Sequence, residues 1–388
     1  MRLDGVRILD LSHLLPGPYA TQLLADAGAD VVKVEPPSAG DFLRSYPPLD
    51  DDGVGRLFAA INRGKRSVAI DLKRDEGLAL FHRLAAEADV VLEQFRPGVA
   101  DRLGVGYDAV GEHNPDVVYC SLSGFGQTGP AADRVGHDLN YVGLAGLLDM
   151  TRSGPDEPPA IPGYPIADMA GGLFAAFAIV GALASRALGN ASGEYLDVAM
   201  ADVVASLAQP VLVDAMAGED PRPGGTPLTG GDPWYAVYEA ADGQFLTLAA
   251  FESKFWASFC EAIGRPELAP LHGTEDPDER EALREELATL FASRPRAEWL
   301  DRLADRETMV APVHSPRELL ADPQFAARGL FETGGGPPHV GLPVQSSDAS
   351  SRRAASAPAL GEHTDAVLCE LGVDAGRLDD LRAVGVIG

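Results

Sequence analysis

The sequence predicts an α/β fold, in which a doubly wound, Rossmann-like large domain is joined to a smaller α+β domain. Short apolar segments rich in β-branched residues alternate with helical patterns over residues 6–124, which is typical of a parallel sheet covered by helices on both faces. A Gly- and Pro-rich segment at 218–233 interrupts this pattern, and a new strand–turn–strand pattern follows it. At 388 residues the chain is also longer than one compact core usually supports.

The elements of the large domain can be placed in chain order. Strands are predicted over 6–12, 29–35, 66–72, 89–95 and 116–124, and helices over 20–28, 75–87 and 169–185. Ligands of such a sheet bind at the carboxyl ends of its strands. The loops LLPGPYA, QFRPGVADRLG and SGFGQTGP fall at these ends, so we expect the binding site there.

The smaller domain follows the segment 218–233. The stretch WYAVYEAADGQFLTLAA predicts two strands around an Asp-Gly turn, which is a strong hairpin signal. Helical patterns follow over 252–263, 276–292 and 296–304. A further Gly-, Pro- and Ser-rich stretch at 333–351 precedes a last helical pattern over 362–372.

Composition excludes several classes of protein. A net charge of −27 argues against nucleic-acid binding, which needs a basic face. The apolar segment 169–185 is short for a membrane span and lies between Asp168 and Arg186, so we expect a helix packed against protein rather than lipid. Three scattered cysteines suit neither a disulfide framework nor a CxxC motif, and no signal peptide is recognisable, so we expect a cytoplasmic protein.

Metal and nucleophilic-serine sites are not expected. The histidines show neither HxxxH nor HExxH spacing, and GxSxG, P-loop and GxGxxG motifs are missing from the sequence. Several basic residues, however, fall at the ends of predicted strands. Arginine forks and lysine charges suit phosphate groups, although a solvated surface is the alternative for any one of them. The candidates for binding a phosphorylated ligand are Lys33, Arg63, Lys65, Lys73, Arg96 and Arg102.

The stretch GHDLNY places His137 where a helical pattern begins, and Asp168 stands directly before the long apolar segment. As an N-cap, Asp168 would accept a backbone N–H. A helix N-terminus lowers the pKa of a carboxylate and favours a neutral imidazole, so both groups would be ready for proton transfer near neutral pH. A lone histidine at a helix start is otherwise a cap or a buried structural residue. The pair suits moving a proton from one face of a carbon atom to the other.

Five stretches together resemble the class III CoA-transferase superfamily, and within it the α-methylacyl-CoA racemases, nearly from end to end. They are LLPGPYATQLLADAGADVVKVEPP, NRGKRSVAIDLK, FRPGVADRLGVGYD, YCSLSGFGQTGP and PALGEHTDAVLCELG. The resemblance implies an acyl-CoA substrate. CoA would be part of that substrate, so no separate cofactor is expected.

The resemblance also implies roles for individual residues. In the transferase branch, an aspartate that matches Asp168 is a covalent nucleophile. In the racemase branch, a histidine and an aspartate that match His137 and Asp168 form an acid/base pair. Because both residues are present, the resemblance favours a racemase that interconverts (R)- and (S)-2-methylacyl-CoA through an enolate, with the CoA-transferase as the alternative. A non-catalytic CoA-binding protein would leave the pair unexplained.

Two further residues complete the expected site. Glu252 matches a racemase glutamate that contacts the histidine, although an exposed glutamate at a helix start is the alternative reading. Backbone N–H groups at the helix start near Asp138 are expected to donate hydrogen bonds to the enolate oxygen.

The superfamily architecture is an interlocked homodimer, in which one subunit's large domain faces the other subunit's small domain. Applied to this chain, it implies a large domain at 1–200, a linker at 201–232, a small domain at 233–315 and a return to the large domain over 316–388.

Overall fold

The chain forms two compact units in the computed structural model, which describes residues 2–154, 156–332, 338–347 and 356–388. The first unit comprises 1–145, 163–208 and 323–388, and the second comprises 146–162 and 209–322. These bounds differ from the expected ones because helix continues beyond residue 200 in the first unit and because 146–162 join the second. The predicted stretch at 333–351 lies partly outside the described residues.

The strands are numbered in chain order. They are β1 (Arg7–Asp10), β2 (Asp30–Glu35), β3 (Arg66–Ala69), β4 (Val90–Glu93), β5 (Val118–Ser123), β6 (Glu194–Ala199), β7 (Tyr235–Glu239), β8 (Phe245–Ala249), β9 (Val310–Pro312), β10 (Phe331–Glu332) and β11 (His339–Val340).

The α-helices are numbered in the same way. They are α1 (Pro16–Asp26), α2 (Arg56–Ile61), α3 (Asp75–Ala86), α4 (Val99–Leu103), α5 (Tyr107–Gly111), α6 (Asp138–Leu144), α7 (Leu147–Met150), α8 (Ile166–Ala187), α9 (Met200–Leu207), α10 (Gln209–Met216), α11 (Ser253–Ile263), α12 (Pro277–Phe291), α13 (Arg296–Leu303), α14 (Pro316–Ala321), α15 (Pro323–Ala327), α16 (Thr364–Glu370) and α17 (Ala375–Ala383).

The main sheet of the first unit is parallel throughout, with the strand order β3-β2-β1-β4-β5-β6. Its central strands are buried, as the continuous apolar runs predict, so the expected α/β fold with a parallel sheet is confirmed. The sequence did not predict β6, because Glu194 and Tyr195 at its start are exposed and give no apolar run. The direction in which strands are added to the sheet reverses between β1 and β4, and this reversal leaves a crevice in which such sheets bind ligands.

The sheet of the second unit is antiparallel, with the order β7-β8-β9. Its first two strands flank Asp242 and Gly243, and the positive φ of that glycine suits the predicted turn. Buried aromatic side chains fill the core between this sheet and the helices that follow it, including Trp256, Phe259 and Trp299. The predicted hairpin is therefore confirmed.

Helix α8 lies close to α1 in the first unit. A Cβ atom on Gly172 would lie 2.5 Å from the backbone oxygen of Pro16 and 3.0 Å from the ring of Tyr19, so only glycine permits this approach. By length and composition alone α8 could cross a membrane, with a mean hydropathy of 1.9 over its most apolar window. In this structure 44% of that window is buried against protein.

Replacing two glycines of α8 by alanine should therefore have opposite effects on the stability of the fold. Gly172→Ala should lower the free energy of unfolding by about 1–3 kcal/mol, because the backbone of α1 cannot yield to the new methyl group. Gly181 has open space around it, so Gly181→Ala should be neutral or stabilise the helix by up to about 1 kcal/mol. Urea unfolding of both variants checks the pair. Equal effects would contradict the close packing.

Candidate active site

A cavity of about 670 Å³ opens at the carboxyl ends of the central strands in the first unit. Its walls come from the loops after β1, β4 and β5, and from the beginnings of α6, α8 and α9. His137, Asp168 and Arg96 all line this cavity. The location is the one predicted for a doubly wound sheet, and His137 and Asp168, 31 positions apart in sequence, line the same cavity.

His137 immediately precedes α6 in an extended conformation. Its backbone N–H donates to Oδ1 of Asn140 at 3.0 Å, and its carbonyl accepts from the N–H of Asn140 at 2.8 Å. This reciprocal arrangement fixes the start of the helix. The hydroxyl of Tyr141 donates to the carbonyl of Gly136 at 2.6 Å, which holds the preceding loop. The imidazole therefore projects from a well-anchored backbone.

The expectation that Asp168 caps α8 is wrong. The helix begins after Pro165, and Asp168 lies within its first turn. The carboxylate of Asp138 caps the helix instead, because its Oδ1 accepts from the N–H of Ala167 at 2.6 Å and of Asp168 at 3.1 Å. Asp138 is thus a link between the beginnings of α6 and α8.

The expected lowering of the Asp168 pKa is also wrong. Burial raises the pKa of Asp168 to about 7, and the nearby negative charge of Asp138 adds to the rise. The positive end of α8 does not outweigh these effects. Asp168 therefore exists in both protonated and ionised forms near neutral pH, so it can act as an acid or as a base.

The prediction of phosphate binding is wrong for three of the six residues, because they lie inside the protein. The ammonium of Lys33 is fully buried beside Asp41, and that of Lys65 is fully buried beside Asp10. Arg63 pairs with Asp26 and is also buried. Each of these cations is paired with a carboxylate of the protein, so none of the three is free to hold a ligand's phosphate.

The other three predicted residues are exposed. Arg96 lines the cavity, Arg102 lies on α4 and Lys73 precedes α3. None of these three side chains forms an ion pair within the described residues. Arg134 is a further exposed cation on the cavity wall that sequence reasoning did not single out. Arg96 and Arg134 make the cavity suitable for an anionic ligand.

The loop after β4 is anchored by side chains that sequence reasoning also missed. Oε1 of Gln94 accepts from the N–H of Gly17 at 2.9 Å, and the carboxylate of Glu93 accepts from the N–H of Phe95 at 2.6 Å. A Cβ on Gly17 would lie 2.2 Å from the side chain of Ser12. The glycine in LLPGPYA was the available signal that two loops meet closely here.

Glu252 lies in the second unit, where it immediately precedes α11. Its side chain is exposed, and its carbonyl accepts from the N–H of Phe255 at 3.0 Å. Its catalytic role stays a prediction from the resemblance.

Comparison with known proteins gives the family of the chain. The sequence model of CoA-transferase family III matches residues 3–364. The chain belongs to this family. The confirmed part of the resemblance is therefore an enzyme of the CoA-transferase and racemase family that acts on acyl-CoA.

Relatives of both reaction types resemble this member of CoA-transferase family III. A succinyl-CoA:mesaconate CoA-transferase from Haloarcula marismortui is 36% identical, over 96% of this chain and 97% of the relative. The α-methylacyl-CoA racemase of Mus musculus is also 36% identical, over 96% of this chain and 94% of the relative. A crystal structure of a CAIB/BAIF family protein from Brucella suis matches with a TM-score of 0.82 and 35% identity, over 95% of this chain and 99% of that one.

The raised pKa of Asp168 predicts a titration near neutral pH. Carbon-13 NMR of the aspartate carboxyl groups should show a resonance that titrates at about pH 7 and is absent from Asp168→Asn. Asp138→Asn keeps an oxygen that can cap α8 but removes the negative charge, so it should lower the pKa of Asp168. An unchanged titration in Asp138→Asn would show that burial alone sets the value.

The raised pKa of Asp168 also predicts how the stability of the fold changes with pH. Because the folded protein binds this proton more tightly than the unfolded chain, ionised Asp168 destabilises the fold as pH rises from about 4 to above 7. Asp168→Asn should therefore raise the melting temperature at pH 8 and lose this advantage near pH 4. An equal effect at both pH values would contradict the assignment.

Proposed function

We propose that this family member is a racemase that interconverts (R)- and (S)-2-methylacyl-CoA by proton transfer at the α-carbon. The observation that best supports this proposal is that His137 and Asp168 line one cavity, with the pKa of Asp168 raised to about 7. A carboxyl group that can bind or release a proton near neutral pH, together with an imidazole that lines the same cavity, suits removal of an α-proton and its return to the opposite face.

The chemistry follows from the thioester. One of His137 and Asp168 removes the α-proton, and the electron pair of the broken C–H bond delocalises into the thioester carbonyl as an enolate. The other group returns a proton to the opposite face of the α-carbon, and the roles exchange with the configuration of the substrate. Asp138 acts as a positioning residue, because its carboxylate holds the first turn of α8 that carries Asp168. The helix start at Asp138 supplies backbone N–H groups for the enolate oxygen.

CoA binding and subunit assembly belong to the same proposal. Arg96, Lys73 and Arg102 would hold the phosphates, because they are exposed cations of the first unit. A second copy of the chain would contribute Glu252, as in the interlocked homodimer of the superfamily. The exposed apolar side chains of α8 support assembly, since Phe177 is 72% exposed and Leu173 is 52% exposed.

A CoA-transferase is the second candidate. The Haloarcula transferase and the mouse racemase are both 36% identical to this chain, so percentage identity does not separate the two reactions. In this reaction the ionised carboxylate of Asp168 attacks the thioester carbonyl, CoA leaves as the thiolate, and an acid anhydride forms on the enzyme. The thiolate then attacks the Asp168 carbonyl of the anhydride, which releases the acyl carboxylate and leaves an enzyme thioester. The raised pKa leaves only part of Asp168 ionised at neutral pH, which suits a nucleophile less well than an acid/base group.

Solvent isotope exchange distinguishes the two reactions. In deuterated water, without any acceptor acid, the racemase should convert (S)-2-methylacyl-CoA into both enantiomers and place deuterium on the α-carbon. A transferase would instead move CoA to an added carboxylate and form an enzyme thioester that hydroxylamine traps. Chiral chromatography with mass spectrometry reads both outcomes, and the second outcome would replace our proposal.

The two catalytic groups should each serve one face of the substrate. His137→Ala should abolish racemisation but leave exchange of the α-proton of one enantiomer, and Asp168→Ala should leave exchange of the other. We expect losses of about 10²–10⁴-fold in the affected direction. Circular dichroism must show that both variants are folded. If both folded variants exchanged both enantiomers at the wild-type rate, neither residue would be the base.

Arg96→Ala should weaken CoA binding more than it slows turnover, because a phosphate contact is the same in the ground state and the transition state. We expect a rise in KM with kcat nearly unchanged. Arg382→Ala, which removes an exposed arginine of α17 paired with Asp365, is the matched control and should change neither constant. A large fall in kcat at unchanged KM would argue against a phosphate contact at Arg96.

A further inference from the structure

The imidazole of His13, on the cavity wall, has no role in the mechanism above. It lies in the loop between β1 and α1, and it lines the same cavity as His137 and Asp168. The described part of the chain offers no hydrogen-bond partner to either of its ring nitrogens. A polar ring that faces a cavity without a protein partner is available to a ligand.

A buried ion pair holds the backbone on both sides of His13. Nζ of Lys33 donates to the carbonyl of Ser12 at 2.7 Å, and the N–H of Leu14 donates to Oδ1 of Asp41 at 3.1 Å. Lys33 and Asp41 lie 3.1 Å apart, with side chains 0% and 1% exposed. The peptide groups before and after His13 are therefore fixed by one pair of opposite charges.

A second buried carboxylate strengthens this support. Oδ1 of Asp10 accepts from the N–H of Ser12 at 2.9 Å and also from the Ser12 hydroxyl. Its Oδ2 accepts from Thr21 at 2.6 Å and from Lys65 at 3.1 Å. The buried lysines that were expected to bind phosphate thus support the loop that carries His13.

The backbone beside His13 is in an unfavourable conformation. Leu14 has a φ of +62°, in the left-handed region that residues other than glycine rarely adopt. Such strain persists only where surrounding contacts enforce it, and it is concentrated at functional sites. The bond from Leu14 to Asp41 is the contact that enforces it here.

The protonation state of His13 suits a hydrogen-bond donor rather than a permanent cation. Burial lowers the pKa of its imidazole, and the charge of Lys33 lowers it further, against the opposing effects of Asp41 and Asp10. A neutral imidazole stabilises an oxygen whose negative charge develops only during a reaction. Ligand phosphates are better matched by the guanidinium groups of Arg96 and Arg134 on the same cavity.

We infer that His13 is a further catalytic residue, whose imidazole donates a hydrogen bond to the carbonyl oxygen of the acyl thioester. The inference rests on the proposed function only in requiring an acyl-CoA in the cavity. That oxygen becomes negative in the enolate of a racemase and in the tetrahedral intermediate of a transferase. His13 therefore serves either reaction, and no bond to it forms or breaks.

The test compares His13→Ala with His13→Gln, which keeps an N–H donor. For whichever reaction the wild-type enzyme carries out, His13→Ala should lower kcat by about 10²–10³-fold with little change in KM. His13→Gln should recover at least part of the loss, and binding of free CoA by calorimetry should be unchanged in both. His113→Ala is the matched control, because His113 is exposed and lies outside the cavity lining.

Infrared spectroscopy separates this inference from the proposed function. The carbonyl band of bound 2-methylacyl-CoA, labelled with carbon-13 at the carbonyl, should shift to lower frequency on the wild-type protein and on His13→Gln, but less on His13→Ala. A shift that depends on His13 in a protein without racemase activity would support the inference and refute the racemase. Racemase activity with a band and kcat that His13→Ala leaves unchanged would overturn the inference alone. If labelled 2-methylacyl-CoA fails to bind the wild-type protein, the racemase is refuted, and the inference is overturned if His13→Ala leaves the kcat of CoA transfer unchanged.

Discussion

The carboxylate of Asp138 connects the two helices on which the candidate chemistry depends. It belongs to the first turn of α6, immediately after His137, and it accepts two backbone N–H groups from the first turn of α8, which carries Asp168. One side chain therefore links the two helix starts that carry His137 and Asp168, which are far apart in sequence. The same negative charge helps to raise the pKa of Asp168. Asp138 thus affects both the position of Asp168 and its pKa.

The wall of the cavity also depends on buried ion pairs that support the loop after β1. Lys33, Lys65, Asp10 and Asp41 are fully or almost fully buried and are arranged as opposite pairs. A buried charge is costly unless it is paired and hydrogen-bonded, so each member requires the others. Their hydrogen bonds end on the backbone of the loop after β1, which they hold in place. The conformation of a ligand-facing loop is therefore decided by residues that touch no ligand.

The two reactions found among the relatives place different demands on Asp168. A covalent nucleophile must be ionised, whereas an acid/base group works best when its pKa is close to the working pH. Burial brings the pKa of Asp168 close to neutral pH, which meets the second condition, and the imidazole of His137 lines the same cavity. Both reactions nevertheless place negative charge on the thioester oxygen. Hydrogen-bond donors to the thioester oxygen are therefore useful to the racemase and to the transferase alike.

The sequence by itself determined the parallel sheet of the first unit, the hairpin of the second and the location of the cavity. Apolar runs, glycine turns and the His137 motif carry this information locally, because periodicity and turn chemistry act over a few residues. Tertiary structure decided which charges face the ligand. Lys33 and Arg96 look alike in sequence, yet one is buried beside Asp41 and the other lines the cavity. It also decided the pKa of Asp168, since burial and the nearness of Asp138 arise only when α6 and α8 pack together.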